Sequence, residues 1–132
     1  MQNSQTEIEK RKSLWIVLSE FYVDTELNND DLERIANLFI DSGFSIEEIK
    51  NIDLYEVFPL LQNNLLSPAG TWAGFDEVWL SDSCERLYRK RNNWFYRRRI
   101  RFKNRLFYWM RKRYWEQLEK RINDILRSKN KQ

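Results

Sequence analysis

The spacing of glycine and proline constrains this chain more than any other feature. Its only glycines and prolines are Gly43, Gly70, Gly74, Pro59 and Pro68. The stretch from residue 75 to residue 132 therefore contains neither of the residue types that most often interrupt a helix. A stretch of that length predicts one very long helix, or two helices that meet near Asn92 and Asn93.

The first part of the chain predicts shorter helices. In TEIEKRKSLWIVLSEFY, apolar residues recur at helical spacing. These residues are Ile8, Leu14, Trp15, Val17, Leu18, Phe21 and Tyr22. The segment NNDD then offers several N-caps for a second helix. The buried face of that helix is predicted to hold Leu32, Ile35, Ala36 and Phe39.

Further signals mark where the next helices begin and end. Gly43 is placed to close the second helix in the left-handed conformation. Ser45 and Glu48 form the pattern of a capping box, with Phe44 able to pack on Ile49. Pro59 is predicted to end or kink the helix of LYEVFPLL. Asp76 is predicted to cap the last helical region, with Phe75 packing on Leu80.

No strand pattern competes with these signals, although YRRRIRF alternates locally. We therefore predict an all-α fold, a compact multi-helix domain with a long basic, aromatic-rich C-terminal helix or helix pair. At 132 residues the chain is expected to form one domain, residues 1–132. With 15% aromatic residues it is too apolar to be disordered.

Nothing in the sequence predicts a membrane-spanning segment, because no apolar run reaches the roughly 18 to 20 residues required. The N-terminal segment MQNSQTEIEKRK lacks the apolar region of a secretory signal. The single cysteine, Cys84, excludes an internal disulfide and fits a reducing compartment. We therefore expect a cytoplasmic protein.

Charge divides the chain into two parts. Residues 1–84 hold 5 Lys/Arg against 16 Asp/Glu, whereas residues 85–132 hold 18 against 4. The domain is thus expected to have an acidic helical part, residues 6–84, and a basic C-terminal helical part, residues 85–128. The basic part either lies on the acidic part or binds a separate acidic partner. We expect contact with the acidic part to neutralise at least some arginines of the basic part.

The sequence offers little for catalysis. It has no histidine, one cysteine and no glycine-rich phosphate loop. The carboxylates Glu20, Asp24 and Glu26 lie close in sequence, but in a chain this acidic they are expected to form a solvated helix face. The segment DLERIANLFIDSGFSIEEIKNI resembles a helix-turn-helix, yet Glu47 and Glu48 would repel phosphates, which favours a scaffold role. We therefore expect no enzyme, no cofactor and no metal site.

The basic segment WFYRRRIRFKNRLFYWMRKRYW separates into three bands when each residue advances by 100°. A core-facing band, which continues beyond this segment to the end of the chain, holds Tyr96, Ile100, Phe107, Tyr114, Leu118, Ile122 and Ile125. A basic ridge holds Arg97, Arg98, Arg101, Arg105 and Lys112. A second, shorter apolar stripe holds Phe95, Phe102, Leu106 and Trp109. Either this apolar stripe packs inside the domain or it contacts a partner chain.

A polar loop is a third candidate for partner binding. Its residues of interest are Asn64, Ser67, Trp72, Gly74, Phe75 and Asp76. The alternative interpretation is structural, with Trp72 and Phe75 plugging the helical bundle while Asp76 caps a helix.

Three segments resemble a family of small bacterial domains of unknown function. They are RKSLWIVLSEFYVDTEL, IANLFIDSGFSIEEI and NLLSPAGTWAGFD, of which the last, NLLS-x-AG-x-WAGFD, is the most specific. The resemblance covers about residues 8 to 80. It implies a compact, mainly helical bacterial domain and assigns no activity, ligand or catalytic residue.

Two functions remain open at this point. The first is a non-catalytic protein-interaction module, of immunity or inhibitor type, that binds a protein such as a toxin, with a homodimer as an alternative partner. The second is nucleic-acid binding, in which the basic ridge neutralises phosphates and aromatics such as Trp94 stack on bases. The acidic first part of the chain favours the protein partner, because it would repel a polyanion.

Overall fold

The computed structural model describes residues 2–22, 27–65 and 76–130. Within these ranges the chain is helical and contains no strand, which confirms the all-α fold. The α-helices are α1 (Gln2–Ser19), α2 (Asn29–Asp41), α3 (Ile46–Ile52), α4 (Phe58–Leu65), α5 (Glu77–Lys90), α6 (Trp94–Phe107) and α7 (Trp109–Asn130). A 3₁₀ turn (Glu20–Tyr22) follows α1, and a π-helical turn (Asp53–Val57) joins α3 to α4.

The predicted starts of α2 and α3 and the predicted end of α2 are confirmed. Asn28 caps α2, and Ser45 caps α3 by accepting a hydrogen bond from the Glu48 N–H at 3.1 Å. Glu48 returns the bond by accepting from the Ser45 N–H at 3.0 Å, which completes the capping box. Gly43 ends α2 with φ +81°, in the left-handed region that favours glycine.

Pro59 does not end its helix, contrary to one of the two predicted effects. It is the second residue of α4, and the irregularity lies before it, in the π-helical turn Asp53–Val57. Proline has no N–H to donate to the carbonyl four residues earlier, that of Tyr55. That carbonyl accepts a hydrogen bond from the Tyr96 hydroxyl at 2.5 Å, which ties α6 to the turn.

The predicted junction near Asn92 and Asn93 is confirmed, because α5 ends at Lys90 and Asn93 caps α6. A second break, at Tyr108, was not predicted. It separates α6 from α7, so the basic C-terminal part consists of α6, α7 and the end of α5. Across this break Arg111 donates a hydrogen bond to the Asn104 side chain at 2.8 Å.

Both charge-defined parts of the chain contribute to one core. The apolar faces predicted for α1 and α2 are buried, and Ile100 and Leu118 from the core-facing band join them. Trp115 of α7 lies between Phe21, at 5.3 Å between ring centroids, and Phe39, at 5.9 Å. The remaining residues of the core-facing band, Tyr96, Phe107, Tyr114, Ile122 and Ile125, pack against this core.

Ion pairs between the two parts reinforce the packing of α2 and α3 against α7. Arg121 pairs with Glu33 at 3.2 Å, and Lys50 pairs with Glu119. Within the described ranges, no helix is both long and apolar enough to cross a membrane.

Candidate interaction surface

Helix α6 is held at both ends and along one side. At its start the Asn93 side chain accepts a hydrogen bond from the Tyr96 N–H at 3.1 Å. Its inner side contributes Ile100 to the core. These contacts fix the rotation of the helix about its axis and therefore determine which side faces solvent.

The apolar stripe lies on that solvent side. The exposed fractions of its side chains are 76% for Phe95, 64% for Phe102, 54% for Leu106 and 69% for Trp109. The alternative that the stripe packs between elements of this domain is therefore wrong for the described part of the chain. The core lies on the opposite side of α6. Phe95 contacts the ring of its exposed neighbour Trp94, at 4.8 Å between centroids, and all four side chains are still more than half exposed.

Two arginines of the basic ridge lie against the π-helical turn. The Arg97 guanidinium lies 4.2 Å from the Tyr55 ring centroid and donates to the Arg91 carbonyl at 3.1 Å. The Arg101 Nε donates to the Tyr55 hydroxyl at 2.9 Å. Cation–π contacts and neutral acceptors thus hold the two side chains while leaving their charge unneutralised.

The other members of the basic ridge are exposed. The Arg98 guanidinium lies 5.3 Å from the Trp94 ring centroid. Lys112 belongs to α7, beyond the break, and its nearest carboxylate is Glu116 of the same helix at 3.8 Å. Among the described residues, no carboxylate pairs with Arg98 or Arg105.

Carboxylates of the acidic part were expected to neutralise the basic ridge. Within the described residues, this expectation is wrong for the four arginines of the ridge that lie on α6. The physical reason is that carboxylates near the contact between the acidic part and the basic part already have partners. Asp53 pairs with Arg111 at 3.2 Å, and Glu56 pairs with Arg11 at 2.8 Å. The acidic part therefore neutralises basic residues of α7, whereas the outer side of α6 keeps its positive charge.

The loop candidate is described only in part. Asp76 accepts a hydrogen bond from the Trp79 N–H at 2.8 Å, which confirms it as the N-cap of α5. The Asn64 side chain and residues 66–75, including Ser67 and Trp72, lie outside the described residues. The predicted packing of Phe75 on Leu80 lies outside them for the same reason.

A buried polar cluster was missed by the sequence analysis. Arg111 and Asp53 are each 1% exposed, and the Tyr22 hydroxyl donates to Asp53 at 2.6 Å. Burial, and then the nearby Asp53 charge, raise the pKa of Tyr22 well above its ordinary value. Burial also raises the pKa of Asp53. A signal existed, because advancing 100° per residue from Trp94 at 0° places Arg111 at about 260°, next to the core-facing Ile100 at about 240°.

A second buried carboxyl lies on the other side of the π-helical turn. Glu56 accepts hydrogen bonds from Arg11 at 2.8 Å and from the Trp15 indole N–H at 2.9 Å. Burial raises the pKa of Glu56. Both carboxyls are enclosed by donors and apolar side chains, an arrangement that joins α1 and α7 to the turn.

Metal ligands do not cluster in the residues that the structure describes. No group of three His, Cys, Asp or Glu side chains there could hold a metal ion. Asp24 and Glu26 of the acidic cluster named above lie outside the described residues.

The fold and surface define a small all-α domain whose basic, aromatic helix turns one apolar side to solvent. A profile of the family described as Domain of unknown function (DUF7079) matches residues 9–121, and the chain belongs to that family. The match extends beyond the resemblance over residues 8 to 80 and includes α5, α6 and part of α7. The basic helix is therefore part of the family's domain. No curated protein and no solved structure matches the chain.

Proposed function

We propose that the protein is a non-catalytic interaction module, of immunity or inhibitor type, and that α6 is its binding element. The observation that carries this proposal is the exposure of the apolar stripe beside arginines that pair with no carboxylate among the described residues. The residues of the apolar stripe occur at positions i, i+7, i+11 and i+14, which is the spacing of a helix that inserts one side into an apolar groove. Burying each side chain is worth roughly 1.5–3 kcal/mol.

The charge around the apolar stripe determines the chemistry of the partner. Helix α6 contains six Lys/Arg and no Asp/Glu. A complementary partner therefore presents an apolar groove with an acidic rim, and the arginines steer its approach and fix its orientation. The module contributes shape and charge, without a chemical step.

The test is affinity capture with the full-length protein, followed by reconstitution of the complex from purified components. The variant Phe102→Glu/Leu106→Glu should lose the captured protein, because two charges would enter the apolar groove. The control Val78→Glu, at an apolar position on α5 that is 71% exposed, should retain it. A partner that binds all three proteins equally would contradict the proposal, because the contact would then lie elsewhere.

A second candidate function is nucleic-acid binding, favoured by the unneutralised arginines of α6 and by Trp94, whose ring is exposed beside Arg98. Its signature is salt dependence, with a log–log slope of about −0.9 per phosphate neutralised on duplex DNA. Duplex and single-stranded oligonucleotides should be titrated at several salt concentrations. Absence of binding at low salt would eliminate this candidate.

A further inference from the structure

A cleft lies between α4, α5 and α6, on a different side of α6 from most of the apolar stripe. Its volume is about 510 Å³. Its apolar lining includes Pro59, Leu87 and Ile100, and the Tyr96 ring is fixed there by its hydrogen bond to the Tyr55 carbonyl. Clefts that bind small organic ligands commonly enclose about 300–1,000 Å³. This cleft therefore has the size and the apolar surface of a small-molecule site.

Three cationic side chains line the same cleft: Lys90 at the end of α5, and Arg99 and Lys103 on α6. Among the described residues, no carboxylate lines the cleft and none forms an ion pair with any of the three cations. Arg99 and Lys103 are four residues apart on one helix, a spacing at which like charges repel. An anion bound between them would remove this repulsion, so the cleft is suited to a ligand with several negative charges.

The apolar lining and the three cations together restrict the class of ligand that fits the cleft. Inorganic phosphate would satisfy the cations but leave the apolar lining in contact with water. A fatty acid would cover the lining but offer one negative charge to three cations. A flat aromatic body that carries two or more phosphates satisfies both. We propose that this cleft binds a nucleotide, with the base against the Tyr96 side of the cleft and the phosphates between Lys90, Arg99 and Lys103.

This proposal is independent of the proposed protein partner. Phe95 borders both the cleft and the apolar stripe, but the other three stripe residues do not line the cleft. The variant Phe102→Glu/Leu106→Glu should therefore bind nucleotide with unchanged affinity even where it loses the protein partner. Failure of one proposal leaves the other standing.

The experiment is isothermal titration of the full-length protein with ADP, adenosine and pyrophosphate at fixed ionic strength. We expect ADP to bind with one-to-one stoichiometry and at least tenfold more tightly than adenosine or pyrophosphate, because only ADP uses both the lining and the cations. Pyrophosphate that binds as tightly as ADP would show that the apolar lining is not used and would overturn the nucleotide assignment. So would the absence of saturable ADP binding at millimolar concentration.

Matched variants separate a specific site from a general effect of positive charge. Arg99→Ala/Lys103→Ala should weaken ADP binding at least tenfold. Arg105→Ala/Lys112→Ala removes the same charge from outside the cleft and should change it by less than about twofold. Circular dichroism checks that both variants fold. Equal losses in the two variants, or a single-stranded oligonucleotide that displaces ADP from both, would identify a diffuse polyanion surface and overturn the proposal.

Discussion

Arg111 is the residue whose environment differs most from that of the other basic residues. Its guanidinium bonds Asp53 and Asn104 and lies 4.5 Å from the Phe58 ring centroid. Its Nη1 has no hydrogen-bond partner among the described residues. A buried charge with one counter-charge is stabilised chiefly by that counter-charge, so Arg111 and Asp53 depend on each other.

Replacing Arg111 should therefore be strongly destabilising. Arg111→Leu leaves the Asp53 carboxyl buried without its counter-charge, and we expect it to lower the free energy of unfolding by about 3–5 kcal/mol. Lys112→Ala, at the neighbouring exposed position, should change it by no more than about 0.5 kcal/mol. Urea unfolding followed by circular dichroism measures both. A loss in Arg111→Leu as small as that in Lys112→Ala would contradict the buried ion pair.

Cys84 provides a second prediction at the scale of a single residue. The thiol is buried in the core, and burial, followed by the Glu56 and Asp53 charges, raises its pKa. The thiolate is the reactive form, so both access and ionisation protect the folded protein. We expect no reaction with Ellman's reagent in native buffer and one thiol per chain in guanidinium. Rapid reaction of the native protein would show that the core opens at α5.

At the scale of the helices, Gly43 allows a test of one helix end. No heavy atom lies within 4 Å of the position that a Cβ would occupy there, so only the backbone opposes a side chain. Gly43→Ala should lower the free energy of unfolding by roughly 1–2 kcal/mol, the cost of the left-handed conformation. Gly43→Asn should cost less, since asparagine tolerates that conformation better. Equal costs would indicate that the side chain meets an obstacle.

The ends of helices were the most predictable part of the fold because each depends on a few neighbouring residues. Ser45 and Glu48 carry their capping box in sequence, and Asn93 carries the cap of α6. The break at Tyr108 has no such signal, because no glycine or proline marks it. It coincides with the Arg111 contacts to Asp53 and Asn104, and the distant pairing with Asp53 is not visible in a local pattern.

The sequence predicted which residue types form the candidate surface, but not which of those side chains are exposed. Helical spacing separates the apolar stripe from the core-facing band, but it does not indicate whether Phe102 or Leu106 is covered by another helix. Charge totals likewise predicted that the two parts attract. They did not indicate that Asp53 would pair with Arg111 of α7 and leave the α6 arginines without carboxylates. Both outcomes depend on tertiary packing between distant segments.

At the scale of the whole molecule, the opposite charges of the two parts are only partly used in holding them together. Arg111 and Arg121 bind carboxylates of the acidic part, and Lys50 binds one of α7. The six cations of α6 remain as a positive field on one side of the molecule. Two copies of α6 placed face to face through the apolar stripe would bring Arg98 and Arg105 of one copy near the same arginines of the other, and such like-charge contacts cost several kcal/mol. We therefore expect this surface to disfavour self-association.

The final prediction follows from that charge and from the exposure of Trp109. Trp109→Glu should leave the far-UV circular dichroism and the free energy of unfolding nearly unchanged, because the ring is not part of the core. Sedimentation should find both wild type and variant monomeric at micromolar concentration. A variant that unfolds would show that the apolar stripe packs within the domain. A wild-type dimer that the substitution converts to a monomer would make a second copy the occupant. Monomers that fold equally well leave the apolar stripe available for a separate acidic protein, whose binding Trp109→Glu should abolish.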